Sequence, residues 1–207
     1  MTLPSPPLLL ITDRRQASAP LPDIAEAAFV AGCRWLSLRE KDLPQQEQIA
    51  LLRTLLACAG KFRAKVTVHG DAQRALEAGA HGIHLAAGSD AAQARRKLGT
   101  GALIGVSIHT ADDARTVDAS VVDYAIAGPM FETVSKPGYG PALGTKGLAR
   151  IVTACPAPVI AIGGIDAGNA SHCRAAGAAG IAVMGGIMRA KNPADVVTEL
   201  IGAWGAR

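Results

Sequence analysis

PVIAIGGIDAGNASHCRAAGAAGIAVMGG, residues 158–186, reads as strand, turn, helix, strand, turn. Pro158–Ile162 is a short apolar run that ends in Gly163-Gly164. Ala167–Ala176 has a helical period, and Ile181–Met184 is a second apolar run that ends in Gly185-Gly186. Two strands joined through a helix pair in parallel, because the crossover returns the chain to the same end of the sheet.

The same alternation extends back to the N-terminus. The predicted strands are Leu8–Thr12, Trp35–Arg39, Lys65–His69, Gly82–Leu85, Leu103–Ile108 and Val122–Ala127. Between and after them lie predicted helices at Pro22–Cys33, Pro44–Ala59, Ala72–Ala78, Asp90–Leu98, Ala111–Val117 and Thr145–Ala154, with a last one at Pro193–Trp204. The longest connection is Gly128–Gly144. Eight strand–helix units in 207 residues predict an α/β fold, a single (βα)8 TIM barrel spanning residues 1–207. The competing reading is an open, doubly wound sheet.

Composition narrows the function. Aromatic residues are 3% of the chain, too few for a nucleic-acid stacking platform. The net charge of +4 suits an anionic small molecule, and no dense basic tract argues for nucleic acid. Arg95-Arg96-Lys97 reads as the solvated end of a helix. Cys33, Cys58, Cys155 and Cys173 form no C-x-x-C pair and match no zinc spacing, so they read as small packed thiols in a reducing compartment. The apolar run Leu8–Ile11 is too short for a signal peptide, and no stretch approaches a membrane span. The expectation is a cytoplasmic protein with no membrane or nucleic-acid partner.

In a barrel of this type the chemistry lies just after each strand. Those positions hold Arg39-Glu40-Lys41, His69-Gly70-Asp71, His84, Ser107 and His109, Thr133 with Ser135-Lys136, Gly163-Gly164, and Met184-Gly185-Gly186. Paired glycines after strands seven and eight bare backbone N–H groups and, with a short helix beyond, predict a phosphate cradle; tight turns alone would also explain them. Arg39 and Lys41 would face the same side of a continuing strand, where a charge-assisted hydrogen bond to an anion is worth roughly 1.5–3 kcal/mol. The segment Thr133–Gly140 combines hydroxyls, a cation and glycine hinges, as a closing loop would. Of the histidines, His81 reads as an exposed turn residue and His172 as structural. His69 is the first acid/base candidate, with His84 and Lys41 beside it.

Five motifs in register resemble the thiamin phosphate synthase/TenI superfamily. Leu38-Arg39-Glu40-Lys41 resembles its R-E-K motif, and Gly82-Ile83-His84-Leu85 its G-[IV]-H-[IL] strand. Gly105–Thr110 resembles G-x-S-x-H-[ST], and Gly128-Pro129-Met130-Phe131-Glu132-Thr133 with Ser135-Lys136 resembles G-P-[IV]-[FY]-x-T…K. Ala161–Ile165, Asn169 and Gly180–Met184 resemble its phosphate end. The resemblance implies thiamin biosynthesis. A synthase joins hydroxymethylpyrimidine diphosphate to a thiazole phosphate and releases diphosphate with Mg2+. Arg39, Lys41, Ser107, Thr133, Ser135 and Lys136 would then contact diphosphate, while Gly163, Gly164 and residues 184–186 hold the thiazole phosphate.

The departures from the synthase pattern point to the TenI branch. Where synthases carry N-D after strand three this chain has His69-Gly70, and Ala86-Ala87-Gly88-Ser89 replaces G-Q-[ED]-D after strand four. The metal carboxylates of the pattern are absent unless Asp71 and Asp90 shift in. TenI-like enzymes are thiazole tautomerases that need no metal or other cofactor, but Pro129 stands where their catalytic histidine falls. The expected function is therefore a TenI-like tautomerase acting on a thiazole phosphate with His69 as acid/base. The alternatives are a Mg2+-dependent synthase and a non-catalytic binder of thiazole or thiamin phosphate. The resemblance also implies possible homo-oligomers.

Overall fold

The structure is a computed structural model that describes residues 2–133 and 142–205. Its strands are β1 (Leu8–Ile11), β2 (Trp35–Leu38), β3 (Lys65–His69), β4 (Gly82–Leu85), β5 (Leu103–Ile108), β6 (Tyr124–Ala127), β7 (Val159–Ile162) and β8 (Gly180–Val183). They pair in parallel in chain order, and β8 returns to β1 through Leu9↔Ala182, so the barrel closes. The open-sheet alternative is thereby removed. The helices are α1 (Leu21–Val30), α2 (Gln45–Gly60), α3 (Ala72–Ala78), α4 (Ala91–Leu98), α5 (Ala111–Arg115), α6 (Gly144–Ala154), α7 (Ala170–Ala175), α8 (Gly185–Met188) and α9 (Pro193–Gly205).

Local chemistry sets these boundaries. Asp71 and Asp90 cap α3 and α4 by accepting N–H groups of the first turn, which fixes where the chain leaves β3 and β4. Thr110 and Asp113 form a reciprocal capping box at α5. Three predicted strands run too long at their C-terminal ends. Thr12 lies past β1, where its buried hydroxyl accepts the Arg39 N–H at 2.9 Å. Arg39 lies past β2, and Met184 caps α8 instead of extending β8.

The core has two parts. One lies between sheet and helices, where residues such as Ile24, Leu52, Leu148 and Leu200 are fully buried. The other fills the barrel: Leu9, Ile11, Trp35, Leu103, Tyr124, Ile126, Ile160 and Ala182. Trp35 and Tyr124 meet edge to face at 4.7 Å in the lower barrel. Gly105 makes room for the tyrosine, since a Cβ there would come 2.0 Å from the ring. This apolar plug seals the lower barrel, so a ligand has access only from the strands' C-terminal ends. Below, Arg95 ties the Val121 and Ala102 carbonyls to Asp123, which it meets at 2.7 Å.

Candidate active site

Strand alternation carries the inward row upward from the plug to the mouth. On β3 it ends at His69, on β4 at His84, on β5 at Ser107, and on β8 at Ala182 with Met184 just beyond. A cavity of about 550 Å³ opens there, within the usual range for a small-molecule site. The predicted residues Arg39, Lys41, His69, His84, Ser107, His109, Thr133, Gly163, Gly164, Met184, Gly185 and Gly186 all line it. Ser135 and Lys136 lie outside the described residues, as does most of the expected closing loop.

Arg39 and Lys41 reach the mouth for a different reason from the one predicted. β2 stops at Leu38, and Glu40 turns inward with 2% exposure. Its two carboxylate oxygens accept the Arg14 N–H at 3.0 and 3.1 Å, under the 3-10 turn Arg14–Gln16. The buried acid is thus satisfied by the backbone, and the residues on either side of it line the cavity.

His84 is buried, and its Nε2 lies 2.9 Å from the Ser107 hydroxyl. Its ring stacks on Tyr124, 5.7 Å away between centroids, and meets the tilted ring of His69 at 4.6 Å. Burial, and secondarily the Lys41 charge, push its pKa down to about 3, so the ring is neutral at physiological pH. A group this hard to protonate is a poor general base near neutrality. His109 is held at the rim: its N–H donates to Asp113 at 2.8 Å, and its Nδ1 lies 3.3 Å from the Gly128 carbonyl. His81 departs from expectation. It is half-buried and accepts the Val66 N–H at 3.1 Å, which pins the entrance to β4 far from the mouth.

The glycine turns have a packing role as well as an open face. A Cβ at Gly163 would sit 2.8 Å from Pro129, and one at Gly164 2.4 Å from the Glu132 carbonyl oxygen. Both residues have positive φ, 104° and 64°. The loop after β6 therefore lies directly on the turn after β7, and the Phe131 N–H donates to the Gly163 carbonyl at 3.0 Å. The Asn169 side chain braces this turn by donating to the Gly164 carbonyl at 2.9 Å.

Three charged lining residues were missed: Glu132, Asp166 and Arg189. Arg189 follows Gly185 by four residues, one helical turn along α8, and that spacing was available in the sequence. Its guanidinium donates to the Gln16 side chain. Asp166 accepts the Gly168 and Asn169 N–H groups.

Asp71 and Asp90 do not move in as metal ligands. Their carboxylates hold helix N–H groups, and neither lines the cavity. Among the described residues no cluster of three or more His, Cys, Asp or Glu is placed to share a cation. Mg2+ asks for several convergent oxygen donors, and the residues at the ends of β3 and β4 do not fit it. The four cysteines are free thiols. Burial pushes Cys33 and Cys173 up to about 11, which makes them inert packing groups. No described helix is long and apolar enough to cross a membrane.

Comparison with known proteins agrees with this architecture. The chain is 39% identical over 196 residues to a Geobacter sulfurreducens protein named "Putative thiamine-phosphate synthase", covering 94% of this chain and 92% of that one. It is 37% identical over 189 residues to the thiamine-phosphate synthase of Roseiflexus sp. (strain RS-1), covering 89% and 79%. The structure of thiamine phosphate pyrophosphorylase from Pyrococcus furiosus superposes with a TM-score of 0.84 at 28% identity, covering 95% of this chain and 94% of the other. The model of the family described as thiamine monophosphate synthase matches residues 8–187, and the chain belongs to that family.

Proposed function

We propose that this protein joins a pyrimidine diphosphate to a thiazole phosphate and releases diphosphate. The observation that carries the reading is that two separate sets of groups able to receive an anion line one cavity. Arg39, Lys41 and Ser107 line it from β2 and β5, and the glycine turns with Arg189 line it from β7 and β8. A tautomerase acting on a carboxythiazole phosphate would set only a single carboxylate against the first set, whereas a diphosphate brings a larger charge to its two cations and hydroxyl. The relatives' names lean the same way.

In this reaction the pyrimidine methylene's bond to the diphosphate oxygen breaks, and the electron pair leaves with that oxygen. The thiazole nitrogen's lone pair forms the new carbon–nitrogen bond. No proton has to move, which suits a mouth whose most buried imidazole resists protonation. Arg39 and Lys41 meet the charge that develops on the leaving group, and Ser107 adds a hydroxyl donor. Backbone amides of the β7 and β8 turns hold the thiazole's phosphate. No step is assigned to Mg2+, whose expected carboxylates are engaged as helix caps.

That capping also favours a second reading, the thiazole tautomerase, with His69 moving the proton from the end of β3. One experiment separates the two. The protein is mixed with both precursors, and thiamin phosphate and diphosphate are quantified together. Equimolar formation of both supports the synthase. Solvent-deuterium entry into the thiazole without coupling supports the tautomerase, and a His69→Ala variant would then lose it. Binding without either reaction contradicts both and leaves a binding protein.

A further inference from the structure

We propose that His84 is a positioning residue whose Nε2–H donates to the Ser107 oxygen and so turns the serine's own proton toward an anionic oxygen in the mouth. The inference deepens the synthase reading and rests on it for the identity of that anion, the diphosphate.

The tautomer follows from the two ring nitrogens. Nε2 has the Ser107 hydroxyl at 2.9 Å. Nδ1 is buried and has no hydrogen-bond partner among the described residues. A proton on Nδ1 would leave a buried donor unpaired, at a cost of about 1–3 kcal/mol. A proton on Nε2 leaves only a lone pair there, and unfilled acceptors are the more tolerated of the two. The doubly protonated ring would strand the same donor and add a buried charge facing Lys41. The proton therefore sits on Nε2, and the hydrogen bond runs from His84 to Ser107.

The serine has one proton. Were it donated to His84, only oxygen lone pairs would face the cavity and repel an incoming anion. With His84 as donor, the half-buried hydroxyl accepts from below and donates upward. The imidazole is fixed by its ring neighbours His69 and Tyr124, so it holds this direction before a ligand arrives.

Nitrogen-15 NMR of histidine-labelled protein reads the tautomer directly. The account expects a protonated, pyrrole-type Nε2 and a pyridine-type Nδ1 for His84 at neutral pH; the reverse assignment overturns it. Calorimetry with inorganic diphosphate reads the consequence. Ser107→Ala and His84→Leu should each weaken binding roughly ten- to a hundredfold, and the double variant should be no worse than the poorer single one. His84→Gln, whose amide N–H can replace Nε2–H, should stay within a few-fold of the parent. In the coupling assay the loss should fall on KM for the diphosphate substrate. Normal diphosphate affinity in a folded His84→Leu variant overturns the inference. If the parent protein binds no diphosphate, the synthase reading fails and the anion half of the inference fails with it. The NMR assignment then decides the His84–Ser107 arrangement alone.

Discussion

Replacing Gly164 with alanine sets a methyl group against the chain that follows β6. The new Cβ would lie 2.4 Å from the Glu132 carbonyl oxygen and 2.8 Å from the Phe131 Cβ. The first contact is with backbone, which has no rotamer by which to escape. The residue also sits at φ 64°, where alanine is disfavoured by about 1–2 kcal/mol. Overpacking adds about 1–3 kcal/mol, so the variant should lose about 2–5 kcal/mol in total. For a chain of this length that lowers Tm by about 4–20 °C. Gly79→Ala is the control, because Gly79 has φ 75° at the end of α3 and nothing within 4 Å of its Cβ position. It carries the backbone cost alone and should lose about 1–2 kcal/mol. Thermal and denaturant unfolding give the two values, and calorimetry with inorganic phosphate gives the functional one. Gly164→Ala should also weaken phosphate binding, because relief of the clash displaces the β7 turn, while Gly79→Ala should not. Equal destabilisation by both substitutions, with phosphate binding intact in both, would refute the claim that the two loops share one close contact at the proposed phosphate site.

Other perturbations test the surrounding frame. Asp123→Ala strips Arg95 of its carboxylate partner and the Ile104 N–H of its acceptor, so urea unfolding should show a loss of about 3–5 kcal/mol. Glu40→Ala orphans the Arg14 N–H and should cost about 1–3 kcal/mol; calorimetry should show weaker diphosphate binding, because Arg39 and Lys41 lose the turn that aims them. His84 should also steepen acid sensitivity. Its folded pKa, about 3, lies below the unfolded value of about 6.5, so as pH falls the unfolded chain takes up the proton first. Above about pH 6.5 the group contributes no slope. Below it, stability should fall by up to about 1.4 kcal/mol per pH unit, and His84→Gln should remove that slope between about pH 6 and 4.5. His81, also lowered by burial, acts in the same direction but is common to both proteins. Parallel curves for parent and variant would contradict the assignment.

The barrel was legible because each strand is a short apolar run bounded by polar or glycine residues, and because eight such units fit 207 residues. The lining was legible by the rule that chemistry follows the strands, which found Arg39, Ser107 and Met184 without any contact information. Other features depend on long-range contacts. Glu40 reads as a rim carboxylate beside two cations, yet its partner is a backbone N–H 26 residues earlier, and that pairing swings it inward. His84 reads as one of three similar histidines, and only the closed barrel, with Tyr124 beneath it, separates it from the others by burial. The glycine pair at 163 and 164 reads as an anion turn, but the approach of Pro129 and Glu132 that makes glycine necessary is set by a different loop. Asp71 and Asp90 stand near the positions where shifted metal ligands would fall, although each stands one residue before a helix, where capping is the nearer role.

The most direct test of the two-anion mouth is a crystal structure of the protein with a thiazole phosphate and inorganic diphosphate bound together. The account predicts the ester phosphate on the backbone amides at Gly163, Gly164, Gly185 and Gly186, and the diphosphate on Arg39, Lys41 and Ser107. A single anion straddling both sets, or a thiazole phosphate seated on Arg39 with the glycine turns bare, would contradict it.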